Sequence, residues 1–322
     1  MKALVTGAGG FIGSHLCEAL RDAGHDVTGL AHYSSRDTFG WLDEVEGIKR
    51  LRGDVRDAEF MIRAAYGAYW VFHLAALGSV PYSYEAPRSV FETNAIGTLN
   101  VALACVNAEA KLILASTSEV YGTPERLPLD ETHPRRGQSP YAASKIAAEE
   151  IVRSLHLSRD LNATILRPFN TYGPRQSERA IVPSLIRQAL DPDIPDILIG
   201  KPDSRRDLMY VTDTARAFIA AAWCDQFGPF NAATGEDHEI MTLAEQIRGA
   251  CGIVPTREPK SITTKDWRLR PDASDIPILR GDAGAFQSAA NWQPKIGLNR
   301  GLARTIVWRM KQPFGPWHGY LT

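Results

Sequence analysis

Thr6-Gly7-Ala8-Gly9-Gly10-Phe11-Ile12-Gly13 decides how the rest of the chain is read. It follows a short apolar run, Ala3–Thr6, and precedes Phe11–Ala23, whose apolar residues recur at helical spacing and stop at Gly24. Between a strand and a helix, Gly7 permits the tight turn, Gly10 lets backbone approach a pyrophosphate and Gly13 lets helix pack closely on strand. The first turn of the helix then offers unpaired N–H groups and a positive dipole end to phosphate. A glycine turn by itself fits any tight bend. This one has the strand–turn–helix setting of a dinucleotide loop, so Gly7, Gly10, Phe11, Ile12 and Gly13 are expected cofactor contacts.

Outward from that loop the pattern alternates. Asp26–Ala31, Trp70–Leu74, Lys111–Ala115 and Ala163–Arg167 read as strands, and Val90–Ala108 and Tyr141–Leu157 read as helices between them. Strands separated by helices of this length imply right-handed crossovers and a parallel sheet, an α/β Rossmann architecture doubly wound by helices. After Phe169 the rhythm changes: Pro168, Pro174, Pro183, Pro192 and Pro195 crowd in and helices shorten. Residues 1–169 are expected to form the dinucleotide-binding part. Residues 170–322 are expected to form a smaller α/β lobe for substrate, with part of 205–232 returning to the first sheet.

Composition narrows the class. The chain has 322 residues, 44% of them hydrophobic, enough to bury a large core. Its 36 Lys+Arg balance 37 Asp+Glu, so no long-range field favours nucleic acid or an anionic membrane. The continuous apolar runs are strand-sized, well below the ~20 residues of a spanning helix. The N-terminus opens straight into the first strand with no leader pattern. Cys17, Cys105, Cys224 and Cys251 are scattered, which suggests neither a disulfide frame nor a metal site but a reduced, cytoplasmic protein. The aromatic tail with Pro313, Phe314, Pro316 and Trp317 reads as a packing or oligomer contact.

The second strand ends in Leu30-Ala31-His32-Tyr33, with no carboxylate to hold ribose hydroxyls. Arg36 is near enough in sequence to meet a 2′-phosphate, or is a solvated loop charge. Both NAD and NADP therefore stay open. Asp54 follows the third strand, where it accepts a bond from an adenine amine or caps a loop. Tyr141 and Lys145 are four apart and share one helix face. A phenol is a poor base near its ordinary pKa of ~10. An adjacent ammonium and an oxidised nicotinamide would lower that value. Upstream, Ala115-Ser116-Thr117-Ser118-Glu119 places hydroxyls and a carboxylate at the carboxyl end of a parallel strand, where ligands bind in such sheets. His73 reads as a packed core histidine.

Together with the glycine loop, Phe72-His73-Leu74-Ala75-Ala76, Ser116-Thr117-Ser118-Glu119-Val120-Tyr121-Gly122, Tyr141-Ala142-Ala143-Ser144-Lys145 and Arg167-Pro168-Phe169-Asn170-Thr171-Tyr172-Gly173-Pro174 resemble the extended short-chain dehydrogenase/reductase family of nucleotide-sugar epimerases and dehydratases. Further stretches resemble the 4,6-dehydratases of legionaminic-acid-type pathways, which act on a nucleotide-linked N-acetylglucosamine. These are His32-Tyr33-Ser34, Gly40-Trp41-Leu42-Asp43, Pro81-Tyr82-Ser83-Tyr84-Glu85-Ala86-Pro87, Gly173-Pro174-Arg175-Gln176-Ser177 and Arg268-Leu269-Arg270-Pro271.

The resemblance implies that Tyr141 takes the proton of the sugar 4-hydroxyl as hydride leaves C4, with Lys145 on the nicotinamide ribose and Thr117 on the reacting oxygen. Glu119 then removes the C5 proton as water is lost from C6, and hydride returns to C6. The cofactor, NAD or NADP, is tightly held and recycled. Ser118 stands where glucose-specific dehydratases carry an aspartic acid; it is a poor acid, so Glu119 or water must supply that proton. Val55, Leu74, Ala75 and Ala76 carry over as cofactor contacts, and Ser79, Asn170, Arg179, Arg206 and Arg270 as contacts to the nucleotide sugar. The resemblance also implies a homodimer built as a four-helix bundle from Val90–Ala108 and Tyr141–Leu157. A 4-epimerase has no use for Glu119, a related uronic-acid decarboxylase shares Thr-Ser-Glu, and a dinucleotide-binding regulator would lack a competent Tyr–Lys pair.

Overall fold

Period-two burial explains the strands. In β1 (Lys2–Thr6), Ala3 and Val5 join one core cluster and Leu4 the other. The same split recurs in β2 (Asp26–Ala31), where Val27 and Leu30 part, and in β4 (Trp70–His73), where Trp70 and Phe72 oppose Val71. A strand buried on both faces needs helices on both sides, the mark of a parallel α/β sheet.

The computed structural model describes residues 1–33, 37–252, 260–265 and 275–315. With β3 (Lys49–Arg52), β5 (Lys111–Ala115) and β6 (Ala163–Pro168), the first half supplies six strands. The remainder adds β7 (Asn170–Tyr172), β8 (Ile197–Ile199), β9 (Arg205–Tyr210), β10 (Phe230–Ala232), β11 (Asp237–Glu239), β12 (Ile262–Thr264) and β13 (Ile278–Leu279). Seven strands form one parallel sheet in the order β10-β6-β5-β4-β1-β2-β3, a Rossmann α/β fold. The order reverses between β1 and β4, so a crevice opens at their carboxyl ends. β9 pairs with β7 and β13 in parallel and with β11 antiparallel, while β8 pairs with β12.

The helix Pro140–Arg159 starts where Ser139 accepts from the Ala142 N–H and Pro140 fills the first turn, and it stops at Asp160 in the left-handed region. The pattern read as one helix from Val90 instead starts at Pro87 and contains a π turn, Glu92–Ile96. Over Pro87–Ala108 it is long and apolar enough by composition to cross a membrane, yet 56% of its most apolar 18 residues are buried within the protein, as in a core helix. Polar Asn94, Thr98 and Asn100 interrupt its sequence, so no continuous apolar run marks it. At the far end, Phe314 lies 4.6 Å from the Arg187 guanidinium and 4.4 Å from that of Arg309. Phe314 stays 41% exposed beside those two arginines; Pro316 and Trp317 lie outside the described residues.

Candidate active site

A cavity of about 1590 Å³ occupies the crevice. Its floor is the glycine turn. Gly7 has φ +69°, and a Cβ there would meet the Ala75 nitrogen at 2.7 Å; a Cβ on Gly13 would meet the Gly7 carbonyl oxygen at 2.3 Å. Only glycine lets this turn pass so close to the loop after β4 and to its own helix. Gly10 caps the helix without a capping side chain, so the first N–H groups face the cavity side of the turn unclaimed by a hydroxyl or carboxylate. Gly13→Ala is expected to cost about 1–3 kcal/mol by overpacking. Thermal unfolding checks this, and an unchanged Tm would contradict the close approach.

Gly7, Gly10, Phe11, Ile12, Gly13, Asp54, Val55, Leu74, Ala75 and Ala76 all line the cavity, as do Ser79, Asn170, Arg179 and Arg206. Arg36 and Arg270 lie outside the described residues. Asp54 does more than cap a loop: Arg56 grips its carboxylate at 2.9 Å and His32 stands 3.3 Å away. The Arg56 hydrogen bonds pull Asp54 down to about 2, so it stays anionic. Ser79 also accepts from the Tyr82 N–H, capping the helix Val80–Glu85. His73 is the core histidine anticipated, its ring nitrogens bonded to Thr6 and Thr98 at 2.8 and 3.1 Å.

At the end of β5, Thr117 and Glu119 line the same cavity as Tyr141 and Lys145. Thr117 begins a tight 3₁₀ turn by accepting from the Glu119 N–H at 3.2 Å, and it is bonded to the Tyr141 hydroxyl. Ser118 departs from the expected catalytic position. It is 3% exposed and does not line the cavity, because the turn sends it into the protein while its neighbours face the crevice. In the protein alone, burial dominates the charge balance. Burial raises Tyr141 to about 12, with nearby Glu119 pushing the same way and the Thr117 bond opposing. Lys145 donates to the Ala115 carbonyl, and burial lowers it to about 8. Desolvation of the phenol therefore outweighs any help from the amine in the protein alone.

Sequence reasoning missed Asn94. Held in the π turn and 1% exposed, it accepts from Leu77 N–H at 2.8 Å and donates to Ser144 at 2.9 Å, tying the cavity loop after β4 to the Tyr141 helix. The available signal was a polar side chain, like Thr98 and Asn100, inside an otherwise apolar helical stripe. Among the described residues, no group of His, Cys, Asp and Glu is placed to hold a metal ion.

A family profile described as GDP-mannose 4,6 dehydratase matches residues 4–305. The chain belongs to that family. Within this group of extended short-chain dehydrogenase/reductase enzymes that modify nucleotide sugars, its relatives differ in reaction. It is 32% identical to a UDP-glucose 4-epimerase of Mycolicibacterium smegmatis, over 95% of this chain and 97% of that protein. It is 29% identical to UDP-glucuronic acid decarboxylase 1 of Arabidopsis thaliana, over 95% of this chain and 69% of that protein. The structure superposes on a UDP-N-acetylglucosamine 4-epimerase of Methanobrevibacter ruminantium in complex with UDP-N-acetylmuramic acid, with TM-score 0.87, 31% identity and coverage of 97% and 99% of the two chains. It also superposes on an NAD-dependent NDP-hexosamine 5,6-dehydratase involved in tunicamycin biosynthesis, with TM-score 0.86, 26% identity and coverage of 97% and 99%.

Proposed function

We propose that the protein is an NAD-dependent 4,6-dehydratase of a nucleotide-linked N-acetylglucosamine. The observation that carries this reading is the meeting of Tyr141, Thr117 and Glu119 in one cavity, a phenol, a hydroxyl and a carboxylate beside one another. The glycine turn and the uncapped helix start fit a dinucleotide pyrophosphate, Asp54 and Val55 would hold its adenosine, and Leu74, Ala75 and Ala76 its middle. When bound, the nicotinamide supplies a hydride acceptor and donor. NAD over NADP is supported by the NAD-dependent dehydratase among the similar structures. Tyr141 takes the 4-hydroxyl proton, Thr117 steadies the oxygen, and Glu119 removes the C5 proton once a ketone has acidified it. With Ser118 turned inward, Glu119 or water returns a proton to the departing C6 hydroxyl. Ser79, Asn170, Arg179 and Arg206 hold the nucleotide sugar. In this reading residues 1–169 hold the cofactor and carry the reacting groups, and 170–322 supply most of the nucleotide-sugar contacts, with part of 205–232 returning to the large sheet.

Incubation with UDP- or GDP-N-acetylglucosamine in deuterated water is expected to give a 4-keto-6-deoxy product labelled at C5. Recovery of an epimer or of unchanged sugar would defeat the proposal. The second reading is a 4-epimerase, favoured by the similarity to the mycobacterial and archaeal epimerases. The N-acetyl group rests on the legionaminic-type stretches and on the hexosamine enzymes among the similar structures.

The same reading implies a homodimer. Phe91, Ile96 and Leu157 are 38, 49 and 76% exposed on the two helices expected to pair with a second copy. Sedimentation is expected to give twice the chain mass at micromolar concentration; a monomer would refute the pairing.

A further inference from the structure

Behind the candidate site, the helix Pro140–Arg159 is fastened to the end of β5 at successive turns. Tyr141 bonds Thr117, Lys145 donates to the Ala115 carbonyl, and Glu149 accepts from the Ser116 hydroxyl. The four-residue spacing puts all three on one helix face. Glu149 is 0% exposed and is not part of the cavity wall, so it meets neither cofactor nor sugar. Arg167 of β6 grips its two oxygens at 2.8 and 2.6 Å, and Arg135 reaches it at 3.2 Å. Arg167 also donates to the Tyr121 hydroxyl at 2.9 Å. Such a buried ion network costs desolvation that a well-packed apolar cluster would avoid, so stability alone is a weak reason for it.

Lys145 lies one turn before Glu149 on the same face of this helix, and both are buried. Burial works against the ammonium there, and Glu149 is the charge that opposes burial. From β4 the neighbour is His73, which burial keeps neutral; the last residue of β5 offers the Ala115 carbonyl to Lys145, and Ser116 just beyond it gives its hydroxyl to Glu149. Resting on the reading of Lys145 as the partner of Tyr141, we propose that Glu149 is a positioning residue whose carboxylate keeps Lys145 an ammonium. Arg135 and Arg167 hold that carboxylate ionised and partly offset its field.

Trace acetylation of the purified full-length protein across pH, with the Lys145 peptide followed by mass spectrometry, tests this without turnover. Glu149→Gln is expected to lower the midpoint of Lys145 by about one pH unit relative to the wild type. An unchanged midpoint in the folded variant overturns the proposal. Should Glu149→Gln fail to fold, Arg135→Met serves in its place, because Arg135 is partly exposed and its loss strengthens the field of Glu149. The midpoint is then expected to rise, and a fall or no change overturns the proposal. Lack of turnover with any nucleotide sugar would count against the proposed function and would leave the labelling midpoint to decide Glu149.

Discussion

Tyr141→Phe is expected to lower kcat by about a thousandfold and to leave KM for the nucleotide sugar within a few-fold. Positioned proton transfer contributes about 10²–10⁴ in rate, and the ring itself, still present in phenylalanine, keeps the shape of the wall. With the phenol at about 12, only on the order of one molecule in 10⁵ carries a phenolate at neutral pH in the protein alone. The 4-hydroxyl proton must therefore move only when positive charge stands close to the ring. Difference absorbance between the wild type and Tyr141→Phe is expected to show a tyrosinate midpoint above 11, falling when NAD is added. A midpoint below 10 in the protein alone would contradict the dominance of burial, and full activity in the phenylalanine variant would remove Tyr141 from the chemistry.

Glu119→Gln separates the competing reactions. If Glu119 takes the C5 proton, the amide is expected to reduce deuterium uptake at C5 and formation of the 4-keto-6-deoxy sugar by about 10²–10⁴-fold. The side chain keeps its size and lies at the cavity wall, so binding is expected to persist. An epimerase inverts C4 through a ketone without touching C5, and it would keep its rate. Turnover that survives Glu119→Gln would hand the site to that second reading.

The parallel sheet was legible because two signals agreed, a glycine turn that tolerates nothing larger and apolar runs of strand length. Tyr141 and Lys145 were legible by their four-residue spacing on one helix face. Other features depend on contacts that no local pattern encodes. Ser118 and Glu119 are neighbours in sequence, yet a tight turn buries one and leaves the other at the cavity. Asn94 matters because a π turn delivers it to Leu77 and Ser144. Glu149 has no local signature in the sequence, and its weight comes from Arg167 on a strand whose place beside β5 only the fold fixes. The upward shift of Tyr141 in the protein alone was not legible because desolvation depends on packing, which spacing does not reveal.

The outermost strand of the large sheet has a consequence for how the protein is made. β10 docks on β6 only after more than sixty intervening residues have been synthesised, and its Asn231 reaches back to the Tyr121 hydroxyl and the Leu129 carbonyl. A nascent chain halted near residue 169 therefore carries β6 as a bare edge, with unpaired N–H and C=O groups ready to join another chain. Truncated products of that length are expected to collect in the insoluble fraction, and chaperone demand should peak before residue 232 leaves the ribosome.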